Sequence, residues 1–191
     1  MLAKQNKEYF TYADYCTWDD EPRCELIDGE IYLMASPSGR HQTVLLNLGS
    51  EFRTYLRGKE CKVFVAPFDV RLNWDKHDDT VVQPDVLVVC DPKKLEDDRA
   101  CKGAPDLVIE ILSPSTSKYD ITTKFMKYRE AAVKELWIVD PLQQTVMVYN
   151  WENGAYIANN YGPTDKITAG ILPGLTIDMK DIFETEEGEI S

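Results

Sequence analysis

QPDVLVVC (83–90) and APDLVIEIL (104–112) decide the fold, because each puts a carboxylate at one end of an otherwise apolar run. Val86 to Val89 and Leu107 to Ile111 are β-branched or apolar without strict alternation, the pattern of central strands covered on both faces. An unpaired charge inside such a strand costs several kcal/mol or neutralises itself, so Asp85 and Glu110 need partners. Asp85 opens its strand and Glu110 closes the next. If the two run antiparallel, the start of one lies beside the end of the other, and both carboxylates fall on one rim of the sheet. A hard divalent cation, Mg²⁺ or Mn²⁺, relieves the repulsion of such a pair through oxygen ligands. Asp106 shares the parity of Glu110 but stands four residues away, at about 3.3 Å per residue, too far to hold the same ion.

A helix expected over YDITTKFMKYREAAV (119–133) supplies a cation, with Asp120 as its N-cap and Ile121, Phe125, Tyr128 and Ala132 recurring at helical spacing. Lys124 falls inside that apolar stripe. A lysine facing a core needs an anion or must reach outward along its stem, and the carboxylate rim is within its range. An Asp, a Glu and a Lys converging on a cation suit phosphodiester hydrolysis, the ammonium neutralising charge that develops in the transition state.

The chain at this point resembles the PD-(D/E)XK nuclease superfamily, and within it the Uma-type putative restriction endonuclease family. The resemblance is carried by CELIDGEIYLMASPSGRHQ (24–42), QPDVLVVC (83–90), PDLVIEILSPST (105–116), the stretch from Asp120 to Tyr128, and ELWIVDP (135–141). It implies a restriction-endonuclease-like α/β core, with Asp85 as the motif aspartate and Glu110 as the acidic residue of the (D/E)XK element. Leu112 stands where the motif lysine would be, so the resemblance implies that Lys124 supplies that charge from the following helix. It also implies that Glu25 is an additional active-site acid. His41 begins a helix whose stripe holds Val44, Leu45, Leu48, Phe52 and Leu56, and it faces the interior, in reach of a phosphate or the metal's water shell.

Length and composition fit one soluble domain over 1–183 followed by an acidic tail, 184–191, with 43% hydrophobic and 28% charged residues in 191. No run is apolar enough to span a membrane and the N-terminus lacks a signal-peptide core, so a cytoplasmic protein is expected. Cys16, Cys24, Cys61, Cys90 and Cys101 form no CxxC pair and signal neither a zinc site nor a disulfide framework; free thiols are the expectation. No serine stands in a GxSxG setting, which excludes that nucleophile motif.

The net charge of −12 opposes nucleic-acid binding, since affinity for DNA comes largely from neutralised phosphates. The tail accounts for four of the acids. Against the total, residues 118–134 carry +3, and with Arg40 they could form a small basic face at the site.

The remaining elements follow from period and turn signals. A short N-terminal helix is expected around Tyr9 to Trp18, then a hairpin over 24–35 turning at Asp28-Gly29, and a helix over 40–57. Strands are expected near 62–66, 68–74, 81–90 and 105–112, with a terminal meander turning at Asn153-Gly154. The acidic stretches 74–80 and 91–99 read as solvated loops. This order is a mixed α/β arrangement, a central twisted sheet flanked by helices. Met147, Tyr149 and Trp151 would serve either a homodimer interface or the core.

The expectation is a Mg²⁺-dependent endonuclease acting on nucleic acid, DNA first, with Asp85 and Glu110 as metal ligands and Lys124, Glu25 and His41 completing the site. Two alternatives stand beside it: a non-catalytic binding or regulatory module on a nuclease fold, and a metal-dependent hydrolase of a small phosphoester.

Overall fold

The structure, a computed structural model, describes residues 9–18, 22–95, 98–113 and 120–183. The expected tail, 184–191, and Lys118 lie outside the described residues.

The hairpin forms as its turn dictates: β1 (Cys24–Ile27) and β2 (Glu30–Leu33) pair antiparallel, with Asp28 and Gly29 at φ 51° and 78°. Positive φ at both central residues is the demand of a type I′ turn, which Asp-Gly meets at low cost. A short helix, α1 (Tyr12–Tyr15), precedes the hairpin, and helix α2 (Gly39–Leu56) after it starts at Ser38, whose hydroxyl accepts from the His41 amide at 3.3 Å.

The expected mixed α/β arrangement of sheet and flanking helices is present, with most strands divided between two sheets. One has six strands: β3 (Lys62–Val65), β6 (Val86–Val89), β8 (Leu107–Ile111), β9 (Glu135–Asp140), β10 (Thr145–Glu152) and β11 (Ala155–Tyr161), in spatial order β11-β10-β9-β8-β6-β3. Only its β8–β9 pair is parallel, so the sheet is mixed. The other joins the hairpin to β4 (Asp69–Arg71), β5 (Val81–Val82) and β7 (Ala100–Lys102), in order β2-β1-β5-β4-β7. A small pair, β12 (Lys166–Thr168) and β13 (Thr176–Asp178), leads into α4 (Met179–Phe183).

The expected strand over 81–90 is therefore two strands in two sheets, broken at Gln83-Pro84-Asp85. Proline has no N–H to give a ladder, so pairing stops there and the chain crosses from one sheet to the other. The short strand β7 escaped the sequence reading because three residues are too few to display a period.

Both faces of the six-stranded sheet are covered, as non-alternating runs require. Val86, Val88, Leu107 and Ile109 pack with Val44, Leu48 and Phe52 of α2, and the Phe52 ring meets Trp137 edge-on at 5.8 Å. Leu87, Val89, Val108 and Leu136 face the other way, onto Ile27, Val82 and Tyr128. Burial of each such side chain contributes about 1.5–3 kcal/mol, which makes this double-sided layer the main source of rigidity at the seam between the sheets.

The helix expected over 119–133 is shorter and composite. A π-helical turn, Asp120–Lys124, runs into α3 (Phe125–Glu130), and the chain leaves the helix through Ala132 at φ 54°. Asp120 thus lies within the first helical turn. Trp151 packs edge-on against Tyr156, and Met147 and Tyr149 pack against the second core cluster. Asp79 and Thr80 are buried, 5% and 2% exposed, contrary to a solvated loop, because Asn73 and Tyr9 hydrogen-bond the Asp79 carboxylate.

Cysteine pairing also departs from expectation. Lys62 faces Val89 across β3 and β6, so the next step of the register sets Cys61 opposite Cys90, and the two form a disulfide with Cα atoms 3.9 Å apart. Cys16, Cys24 and Cys101 are free thiols. No helix among the described residues is long and apolar enough to cross a membrane.

Candidate active site

The antiparallel register of β6 and β8 ends at Val86 and Ile109, so Asp85 and Glu110 each stand one residue beyond that last pair, at the same end of the two strands. Both carboxylate residues line one cavity at that rim. Parity points them to the face that α3 covers, the side of Leu87, Val108 and Tyr128. Asp85 is oriented twice through one oxygen: Oδ2 accepts from the Ile111 amide at 2.7 Å and lies 3.2 Å from His41 Nε2. His41 reaches this point from the first turn of α2, on the opposite side of the sheet.

Lys124 occupies the centre. Its ammonium lies 2.6 Å from Glu110 Oε1 and 2.9 Å from Glu25 Oε1, with the three side chains 2%, 4% and 2% exposed. Glu25 belongs to the second sheet, so this triad ties the two sheets together. Glu25 Oε1 also accepts from the Gln83 amide at 2.7 Å, and Glu110 Oε1 from the Tyr128 hydroxyl at 2.5 Å. Burial first, then the Glu110 charge, raise the Tyr128 phenol well above its ordinary value and keep it a donor. Every buried charge here is thus paired or hydrogen-bonded, the condition for holding it in a dry interior.

Two further residues complete this constellation, Tyr128, whose hydroxyl the sequence already put within reach of the site, and Gln83. Tyr128 stands four after Lys124, so helical spacing alone puts both on one face. Gln83 gave no local signal. Its side chain is fixed by Arg23 Nη2 on Oε1 at 2.6 Å, and its own Nε2 donates to Asp69 Oδ1 at 2.9 Å, which holds the amide aimed at Glu25. Burial raises the Asp69 carboxyl above the usual range, against the opposing Gln83 and Tyr15 hydrogen bonds.

The carboxylates open onto a cavity of about 320 Å³ between the sheets. Its polar lining is Glu25, Asp85, Glu110, Lys124, His41 and Arg23, and its lining also includes Tyr32, Leu33, Met34 and Pro37. Arg40 is not at this wall and lines a separate cleft with Leu142 and Phe183. The expected basic face does not form among the described residues either, where two of its cations are already paired. Lys127 is held by Asp28 and Glu130, each at 2.8 Å, and Lys134 by Asp106 at 2.6 Å.

The donor set fits a magnesium-like cation. Two carboxylates on one rim, beside a cavity that admits water, are the usual protein share of such a site. Among the described residues no three His, Cys, Asp or Glu side chains converge as a complete cage, so water or substrate oxygens would complete the shell.

Residues 11–180 match the Uma2 family, whose description is "Putative restriction endonuclease". Two proteins of Synechocystis are similar in sequence. One, slr1290, is 27% identical over 158 residues covering 81% of each chain; the other, sll1609, is 28% identical over 132 residues, 68% of this chain and 73% of its own. The crystal structure of a putative nuclease of the DUF820 group from Anabaena variabilis shares the fold, with TM-score 0.74 and 22% identity over 91% of this chain and 97% of that one.

Proposed function

This chain belongs to the Uma2 family of putative restriction endonucleases, and from that membership and the seam geometry we propose that it hydrolyses phosphodiester bonds in DNA with a divalent cation, Mg²⁺ or Mn²⁺, at Asp85 and Glu110. The observation that carries this reading is that Asp85 and Glu110 line one cavity at the same end of paired strands, with Lys124 ion-paired to Glu110 at 2.6 Å.

The cation, when bound, supplies Lewis-acid polarisation of a phosphoryl oxygen. The protein's own groups set the rest. The Ile111 amide and His41 fix the rotamer of Asp85, and Lys124 and Tyr128 converge on one oxygen of Glu110. Such preorganisation removes the cost of aligning ligands during the reaction. Lys124 also brings positive charge to the wall where a scissile phosphate would sit. Its chain position, fourteen residues beyond Glu110, does the work that a lysine at position 112 would do from the same strand. The buried Glu25 holds that ammonium from the second sheet at 2.9 Å, which favours it as a positioning acid.

The test is hydrolysis of bis(p-nitrophenyl) phosphate and of labelled DNA with Mg²⁺ or Mn²⁺, beside calorimetric titration of the metal. Asp85→Asn and Glu110→Gln should each abolish turnover and weaken metal binding at least tenfold while circular dichroism stays that of the parent. An inert parent protein that takes up no metal through these carboxylates would refute the reading in favour of a non-catalytic module.

A further inference from the structure

Resting on the phosphodiester reading above, we infer that the cavity receives one unpaired nucleotide, its phosphodiester against Asp85, Glu110 and Lys124 and its base on the wall of Tyr32, Leu33 and Met34. The substrate is then a single strand or a frayed end, and an intact duplex is a poor one.

Depth is the first argument. The Glu25, Lys124 and Glu110 side chains are 2%, 2% and 4% exposed, at the bottom of a cavity of about 320 Å³. That volume is at the small end of the range for ligand pockets. A duplex keeps its bases stacked inside, so a base enters a cavity of this size only after unpairing.

Charge is the second. Among the described residues at the wall, Arg23 and Lys124 stand against Glu25, Asp85 and Glu110, and Lys124 is already held by two of these acids. A duplex binder relies on six to ten neutralised phosphates, roughly. Neither this wall nor a chain of net charge −12 offers such a track.

The apolar lining is the third. Tyr32 pairs across the hairpin with Glu25, so its ring stands on the same face as that acid and beside it. Leu33 beside it is 66% exposed, an apolar side chain presented at the mouth of a polar site. A duplex, whose base faces are stacked away, has nothing to set against such a surface. An unpaired base does, and contact with an aromatic platform is tolerant of sequence.

The experiment measures anisotropy of a fluorescein-labelled twenty-nucleotide single strand, the same sequence as a blunt duplex, and a labelled dinucleotide, on the Glu110→Gln protein so that nothing is consumed. The single strand should bind at least tenfold more tightly than the duplex. Equal dinucleotide binding would assign recognition to one nucleotide alone, and much weaker binding to a strand passing through the cavity; either supports the proposal. Tyr32→Leu should weaken single-strand binding about 5- to 150-fold, the range for one stacked base, and Leu33→Ser should weaken it in the same direction. Leu46→Ser, 70% exposed on α2 and away from the cavity, should change it less than twofold. Duplex binding as tight as single-strand binding, or indifference to both wall variants, overturns the proposal. Failure of the parent to hydrolyse bis(p-nitrophenyl) phosphate would instead strike the phosphodiester reading and leave the binding comparison readable.

Discussion

Replacing Lys124 with methionine keeps an unbranched apolar stem but removes the ammonium that sits 2.6 Å from Glu110 and 2.9 Å from Glu25. Both carboxylates then remain buried without their shared cation, keeping the hydrogen bonds from Tyr128 to Glu110 and from Gln83 to Glu25. Breaking a buried ion pair from one side typically costs about 3–5 kcal/mol, far more than loss of a surface pair. For a chain of this size each kcal/mol moves the melting temperature by about 2–4 °C, so Lys124→Met should melt roughly 6–20 °C lower at neutral pH. Adding Glu25→Gln to Lys124→Met should recover stability, giving a coupling of at least about 1 kcal/mol in a double-mutant cycle. Urea denaturation at pH 8 measures all four proteins. A loss below about 1 kcal/mol at pH 8, with no coupling to Glu25, would show that Lys124 is not the cation that joins the sheets.

Three further outcomes are expected. Tyr128→Phe removes the donor to Glu110 Oε1 and should cost about 1.5–3 kcal/mol by urea titration, as for a hydrogen bond to a charged group; an unchanged midpoint would deny that contact. Asp106 is buried, which alone would raise its carboxyl, but Lys134 at 2.6 Å and the Cys90 amide at 2.8 Å outweigh burial and hold it below the usual range. Its contribution to stability is therefore full above the ordinary carboxylate value of about 3.9 and lost as pH falls through the lowered one, so Asp106→Asn should flatten the acid limb of stability against pH. Thiol titration of the unfolded, unreduced chain should count three free thiols, and reduction of the Cys61–Cys90 bond, which spans 29 residues, should cost at most about 3–4 kcal/mol of stability. Five titratable thiols before reduction would contradict the pairing.

Much of the site's outline was legible in local pattern. Apolar runs ending in Asp85 and Glu110 implied paired central strands, and antiparallel pairing then required a shared rim, which the register provides. The Asp28-Gly29 and Asn153-Gly154 turns and the inward face of His41 were equally local matters of backbone preference and helical period. The stripe position of Lys124 showed that it needed an anion, but not which one.

What period cannot encode is the object across the gap. Lys124 meets Glu25 over a separation of 99 residues, a contact that exists only because Pro84 ends one ladder and sends the chain into a second sheet. The same crossing aims the Gln83 amide at Glu25. The Cys61–Cys90 pairing depended on the register of two strands, and the expected basic face disappeared because Lys127 and Lys134 found Asp28, Glu130 and Asp106. Sequence by itself determined which residues had to be buried, turned or charged on a given face. Tertiary structure decided their partners, because a buried charge is stabilised by whatever the fold brings within about 3 Å, and that neighbour is set by how strands and helices pack over long separations.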